Sequence, residues 1–353
     1  MDTVKSSIHP GERPSCQSPH LTSFAHVPIS PRGCLRRLLQ LLGGGLLILL
    51  LLIGGWSWLT NRRVAASEIY PAAADAPGQF LTIDGYRLHV QTFGDPAAPP
   101  LLLVHGFSVG GGSDWANLAA ALQGDYYLIV PDLLGFGHSQ RVTEPVPAYS
   151  HAGQAALLVG VLDALGVAET AVAGHSYGGG VAVQLALDAP ARVSRLILVD
   201  AQVYDVGGGF FQALGNLPLG IGRAITWSTL GAGPQAELLA RSSCAGGGEC
   251  PTDAYLARRQ RLAQIEDTTA ALLAFNQTSR DARIPADVPQ VTQPALVIWG
   301  EADPIIPLAN GERLAAELPT AELHTLPGAG HSPQLFLPRQ VADLVRAFMP
   351  AQP

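Results

Sequence analysis

Ser176 stands between Gly174 and the run Gly178 to Gly180 in "AVAGHSYGGGVA", residues 171–182, directly after an apolar stretch. The five residues Gly174-His175-Ser176-Tyr177-Gly178 fit the pattern G-x-S-x-G. A sharp turn from strand into helix forces its central residue into a strained backbone conformation, so the neighbours must be small, and the turn lifts the hydroxyl above the sheet edge. Tyr177 then starts a helix, where its backbone N–H can donate to a developing oxyanion. A glycine turn that merely contains a serine is the bland alternative. The apolar strand before it and the helical pattern after it argue against that reading.

A serine hydroxyl is a weak nucleophile at neutral pH and needs a base. His331, in "LPGAGHSP", follows the apolar "LHTL" of a last strand and lies in a glycine-containing loop, a place from which a side chain can hang over the carboxyl ends of a sheet. An imidazole in that role needs a third group to fix its tautomer and stabilise its cation. Two aspartates end strands: Asp303 in "WGEADPIIP", after "ALVIW", and Asp200 in "LILVDA". Both keep the chain order serine, aspartate, histidine, and Asp303 is preferred on the resemblance given below. A second oxyanion donor is expected from the backbone N–H of Phe107, which follows His105-Gly106 directly after the strand "LLLV". Together these groups would perform acyl transfer to serine followed by hydrolysis. No Cys/His cluster has metal-ligand spacing, and the chemistry calls for no cofactor and no metal.

The elements that must position these residues are legible as pattern. "FLTIDGYRLHVQTFG" alternates around Asp84-Gly85, a tight β-hairpin signal. Apolar runs at 101–104, 127–130, 170–174, 196–199 and 295–299 are then separated by helical spacing at about 115–123, 151–165, 178–189, 308–318 and 335–348. Uninterrupted apolar strands alternating with helices predict a mostly parallel α/β sheet covered on both faces. Between Ala201 and about Pro289 the rhythm breaks; glycine clusters and helical stretches such as "DAYLARRQRLAQIED" read as an inserted cap.

The motifs "VHGF", "PDLLGFGHS", "GHSYGG", "GEADPIIP" and "GAGHSP", in this order, resemble the α/β-hydrolase fold family in its capped branch, over about residues 80–349. That resemblance implies Ser176, Asp303 and His331 as a catalytic triad, Phe107 and Tyr177 as oxyanion donors and residues 201–289 as the cap (lid), inserted between core segments 80–200 and 290–349. It also implies an esterase-like or lipase-like activity on a small-molecule ester. A carbon–carbon bond hydrolase and an acyltransferase share the same triad, and a non-catalytic binding protein shares the fold. Nucleophilic aspartate enzymes of similar loop pattern are argued against by Ser176. Few charges in "VGGGFFQALGNLPLGIGRAITWSTLGAG", with Phe210, Phe211 and Trp227, suit an apolar acyl or alkyl site and equally a lid that packs on its own core.

The chain has 353 residues and a net charge of −7, distributed as +5 over residues 1–63 and −12 over the rest. The acidic remainder is a poor match to nucleic acid. "LLQLLGGGLLILLLLIGGWSWLTN" carries no charge between Arg37 and Arg62. As a helix of about 24 residues it reaches about 36 Å, enough for a hydrocarbon core of about 30 Å. Trp56 and Trp58 lie at its downstream end, where indole rings favour the interface. Residues 1–34 are accordingly read as a disordered tail, 35–61 as a transmembrane helix and 62–79 as a linker. The slight excess of arginine before the span places the large domain on the extracytoplasmic side. A signal peptide cleaved near "VAAS" is the alternative, leaving a secreted protein. Cys244 and Cys250 could close a short disulfide in that setting, or remain two thiols.

Overall fold

The structure is a computed structural model that describes residues 31–204, 213, 215–218, 220–242, 252–278 and 284–349. The chain divides into a unit of Met1–Leu51 and a unit of Leu52–Pro353. In the first, the described residues belong to helix α1, Pro31–Ser67. Its stretch Leu35–Ser67 is long and apolar enough to cross a membrane, and its most apolar part is unburied. The helix begins before residue 35 and continues past Arg62-Arg63, so the linker expected over residues 62–79 starts late. "RVAAS" contains no helix breaker before Pro71, and Val64 is fully buried, which favours another helical turn.

The second unit is built on an eight-stranded sheet: β1 Gln79–Ile83, β2 Tyr86–Phe93, β3 Pro100–Val104, β4 Tyr127–Pro131, β5 Thr170–His175, β6 Val193–Val199, β7 Ala295–Gly300 and β8 Ala321–Leu326. Its order is β1-β2-β4-β3-β5-β6-β7-β8. The hairpin β1/β2 and the pair β2/β4 are antiparallel, and every later pair is parallel. Asp84 and Gly85 turn the hairpin with φ of 49° and 83°, the twist that a two-residue loop between right-twisted strands requires. Crossover helices α2 Ala116–Leu122, α3 His151–Ala164 and α4 Tyr177–Asp188 join the early parallel strands. Among the described residues, the longer helices after β6 are α5 Ile221–Thr229, α6 Pro234–Ser242, α7 Asp253–Ala263 and α8 Thr268–Thr278. Then α9 Leu308–Glu317 joins β7 to β8, and α10 Pro338–Phe348 is the last described helix. Phe210, Phe211, Cys244 and Cys250 lie outside the described residues.

Strand residues alternate between two cores. Leu102, Val104, Val172, Leu196, Leu198 and Val297 join one cluster, while Leu101, Leu103, Ala171, Ala173, Ile197 and Ile298 join the other. Burial on both faces is why these strands read as unbroken apolar runs. Chain order reverses at β3, between β4 and β5, and such a switch point opens a crevice at the carboxyl ends of the strands.

A buried polar knot pins that end of the sheet to the hairpin. Asp132, just past β4, accepts from the Gly112 N–H at 2.6 Å and the His138 N–H at 2.7 Å, and meets His89 Nδ1 of β2 at 2.7 Å. Burial opposes charge on both side chains, yet their contact wins: His89 is raised and Asp132 lowered from their ordinary values. Removing one member strands the other in a dry site. Asp132→Ala is expected to cost about 3–5 kcal/mol, read as a lowered urea midpoint at unchanged m-value; an unchanged midpoint would contradict the ion-pair assignment.

Candidate active site

Ser176 sits between β5 and α4 with φ 52° and ψ −122°, outside the regions an L-residue prefers. Surrounding bonds hold it there. Its N–H donates to Val199 O at 3.1 Å, and its carbonyl accepts from Gly179 N at 2.9 Å and Gln202 N at 2.8 Å. The glycines are sterically required: a Cβ on Gly174 would lie 2.4 Å from Gly178 O, and one on Gly178 would lie 2.3 Å from Val104 O. The turn is therefore packed backbone to backbone against β3.

His331 and Asp303 complete a chain of hydrogen bonds. His331 Nε2 lies 3.0 Å from Ser176 Oγ, and His331 Nδ1 lies 2.7 Å from Asp303 Oδ2. Asp303 Oδ1 accepts from the N–H groups of Ile305 at 2.7 Å and Ile306 at 2.9 Å, so the carboxylate is fixed by its own loop. Ser176 and His331 are buried, as is the Asp303 side chain. This arrangement lets the imidazole accept a proton from the hydroxyl while the carboxylate steadies the resulting cation.

Phe107 leaves β3 in the loop opposite. A Cβ on Gly106 would come within 3.0 Å of Ser176 Cβ, so the backbone leading into Phe107 runs directly beside the hydroxyl. Tyr177 opens α4, whose N-terminal N–H groups carry the positive end of the helix dipole. Ser176, His331 and Asp303 are thus hydrogen-bonded in series, with the backbone of Gly106 and the start of α4 at Tyr177 beside the serine.

Asp200, the rival acid, is placed differently. It is fully buried with φ 42°, and Oδ1 accepts from Gly300 N at 2.9 Å, while Oδ2 has no partner among the described residues. Burial first, and then the negative charge of Asp303, push its carboxyl well above the usual range, towards the protonated form. His175, Asp200 and His331 have ligand-type atoms within 4.8 Å of one another. Both His331 nitrogens are already engaged with Ser176 and Asp303, so the trio does not fit a metal.

The sequence reading gave His175 no role in positioning the base. Its Nε2–H donates to the backbone carbonyl of His331 at 2.6 Å, tying the residue before the serine to the loop of the base. Nothing in local sequence signals a contact across 156 positions. Burial, aided by the neighbouring His331, pushes the His175 pKa down to about 3. The folded state thus refuses a proton that the unfolded chain accepts below about 6.5, so stability falls as pH drops from that value towards 3. His175→Gln is expected to remove on the order of 4 kcal/mol of that pH dependence, measured as urea unfolding at pH 7 and pH 4; equal slopes in both proteins would contradict a buried neutral imidazole.

Comparison with known proteins follows this geometry. The sequence profile described as "alpha/beta hydrolase fold" matches residues 99–338. A 2-hydroxymuconate semialdehyde hydrolase of Pseudomonas putida is 31% identical over 296 residues, covering 79% of this chain and 96% of its own. Lipase 1 of Psychrobacter immobilis is 31% identical over 268 residues, covering 72% and 78%. A thermophilic esterase of Thermogutta terrifontis superposes with a TM-score of 0.60 at 24% identity, covering 76% of this chain and 97% of its own. With its parallel sheet, its strand-to-helix turn and these relatives, the chain belongs to the alpha/beta hydrolase fold family and is a hydrolase of that fold.

Proposed function

We propose that the chain is a membrane-anchored serine hydrolase that cleaves an ester-type bond of a small apolar acyl substrate. The observation that carries this reading is the unbroken run of hydrogen bonds from Ser176 Oγ through His331 to Asp303. In the first half-reaction His331 Nε2 takes the hydroxyl proton as Ser176 attacks the acyl carbon, and the same nitrogen then protonates the leaving alkoxide. The Phe107 and Tyr177 N–H groups receive the negative charge on the acyl oxygen. Water activated by the same imidazole releases the acid and restores the serine.

Rings around the site favour an apolar acyl group. Phe275 of α8 packs against Phe107 at 5.3 Å, Phe136 at 4.9 Å, Tyr149 at 5.6 Å and Tyr177 at 4.9 Å between centroids. The lipase relative supports an ester substrate. The 2-hydroxymuconate semialdehyde hydrolase relative supports a second reading, carbon–carbon bond hydrolysis with the same three residues. Product analysis separates the two, and an alcohol acceptor reveals acyl transfer.

Retention of α1 as an anchor is supported by its continuity through "VAAS". The apolar stretch is also longer than the roughly 7–15 residues of a signal-peptide apolar region. Trp56 and Trp58 are exposed, and the Arg62 guanidinium lies 5.0 Å over the Trp58 ring, an arrangement suited to a lipid headgroup layer. The catalytic unit then lies on the extracytoplasmic side of a single span.

Ser176→Ala is expected to lower kcat on p-nitrophenyl butyrate by about 10⁶, and Asp303→Asn by about 10⁴. A fluorophosphonate should add once to the parent and not to Ser176→Ala, read by intact mass. Most of the esterase activity surviving in Ser176→Ala would sink the assignment.

A further inference from the structure

The end of α1 is bonded into the helices that follow β6. Asn61 Nδ2 donates to Gly220 O at 3.0 Å, at the start of α5, and Trp227 Nε1 of α5 donates to Ser67 Oγ at 3.1 Å. The N–H groups of Ile69 and Tyr70 both donate to Gln264 O, at 2.9 and 3.1 Å, and Glu266 N donates back to Tyr70 O at 2.8 Å. Arg261 lies 3.5 Å over the Tyr70 ring. Central to this joint is Glu68, a buried carboxylate one residue past the helix. Its Oε1 accepts from Thr269 N at 2.9 Å and from the Thr269 hydroxyl.

Thr269 lies in the first turn of α8. A carboxylate there satisfies an N–H that has no intrahelical acceptor and opposes the positive end of the helix dipole. Six residues further along the same helix, Phe275 meets the rings of Phe107 and Tyr177. Both residues carry the backbone N–H groups assigned above to the oxyanion. A rigid helix thus connects the bond at Glu68 to the wall of the site.

We propose that Glu68 is a positioning residue for the reaction: by capping α8 it sets Phe275, and through Phe275 the loops that present the Phe107 and Tyr177 N–H groups. This rests on the serine-hydrolase reading of the site. Its consequence is that the segment emerging from the apolar span is a working part of the catalytic unit. Misplacing oxyanion donors weakens binding of the transition state more than that of the ground state, so the signature falls in kcat.

The test uses the full chain in phosphatidylcholine nanodiscs with p-nitrophenyl butyrate. Glu68→Ala should lower kcat at least tenfold with KM changed less than twofold, and Glu68→Gln, which keeps an acceptor for the Thr269 N–H, should recover kcat to within threefold of the parent. Combined with Phe275→Leu, Glu68→Ala should add little further loss, because both act through one element. Unchanged kcat in Glu68→Ala, or effects that multiply in the double variant, overturns the proposal. Should Glu68→Ala not accumulate folded, Thr269→Val must reproduce a kcat loss of threefold or more, and its absence overturns the proposal equally. Fluorophosphonate labelling of the parent keeps the two readings apart: a parent that is not labelled contradicts the serine assignment, whereas a labelled parent with indifferent Glu68 variants contradicts only this one.

Discussion

A serine held at φ 52° and ψ −122° is strained by its own side chain and persists only where its surroundings leave no alternative. Here β5 delivers the backbone to the turn, Val199 O of β6 holds the Ser176 N–H, and two N–H groups hold its carbonyl. Gly174 and Gly178 let the turn close on itself and on β3 at distances that a Cβ could not tolerate. Adjacency of β3, β5 and β6 in the sheet is thus a condition of the strain. The same adjacency brings the Gly106 backbone against Ser176, so the constraint that raises the hydroxyl also places the loop beside it.

Around that turn the charges are arranged so that His331 has one acceptor at Nδ1. Asp303 uses one oxygen on the imidazole and the other on its own loop. Asp200 lies nearby but is desolvated and faces the field of Asp303, both of which favour its protonated form. His175 is neutral for a similar reason and serves as a donor to the His331 carbonyl. Two potential competitors for the imidazole's charge are thereby silenced by burial, which disfavours whichever form is ionised.

The helices after β6 are joined to the sheet by aromatic contacts and to the end of α1 by hydrogen bonds. Phe275 makes the first connection, while Asn61, Ser67 and Glu68 make the second. A buried carboxylate held by two donors of one residue fixes the distance between the helix it caps and the segment that carries it. On the proposal made for Glu68, geometry at the site depends on a segment more than 30 residues upstream of the first motif.

Much of this was legible in the amino-acid sequence, because its signals are local. Strands buried on both faces must be unbroken apolar runs, Asp84-Gly85 must turn a hairpin, and a strained strand-to-helix turn must be flanked by glycines around Ser176. The family resemblance singled out Asp303 over Asp200, since both aspartates follow Ser176 and precede His331, and only the tertiary structure supplied the physical distinction: Asp303 meets His331 Nδ1, whereas Asp200 accepts from Gly300 N. It was likewise needed for the role of His175, for the continuation of α1 through Ser67 and for the bond from Glu68 to Thr269. Those features join residues far apart in the chain, and no local pattern of hydrophobicity or turn residues records which distant backbone group a polar side chain will find.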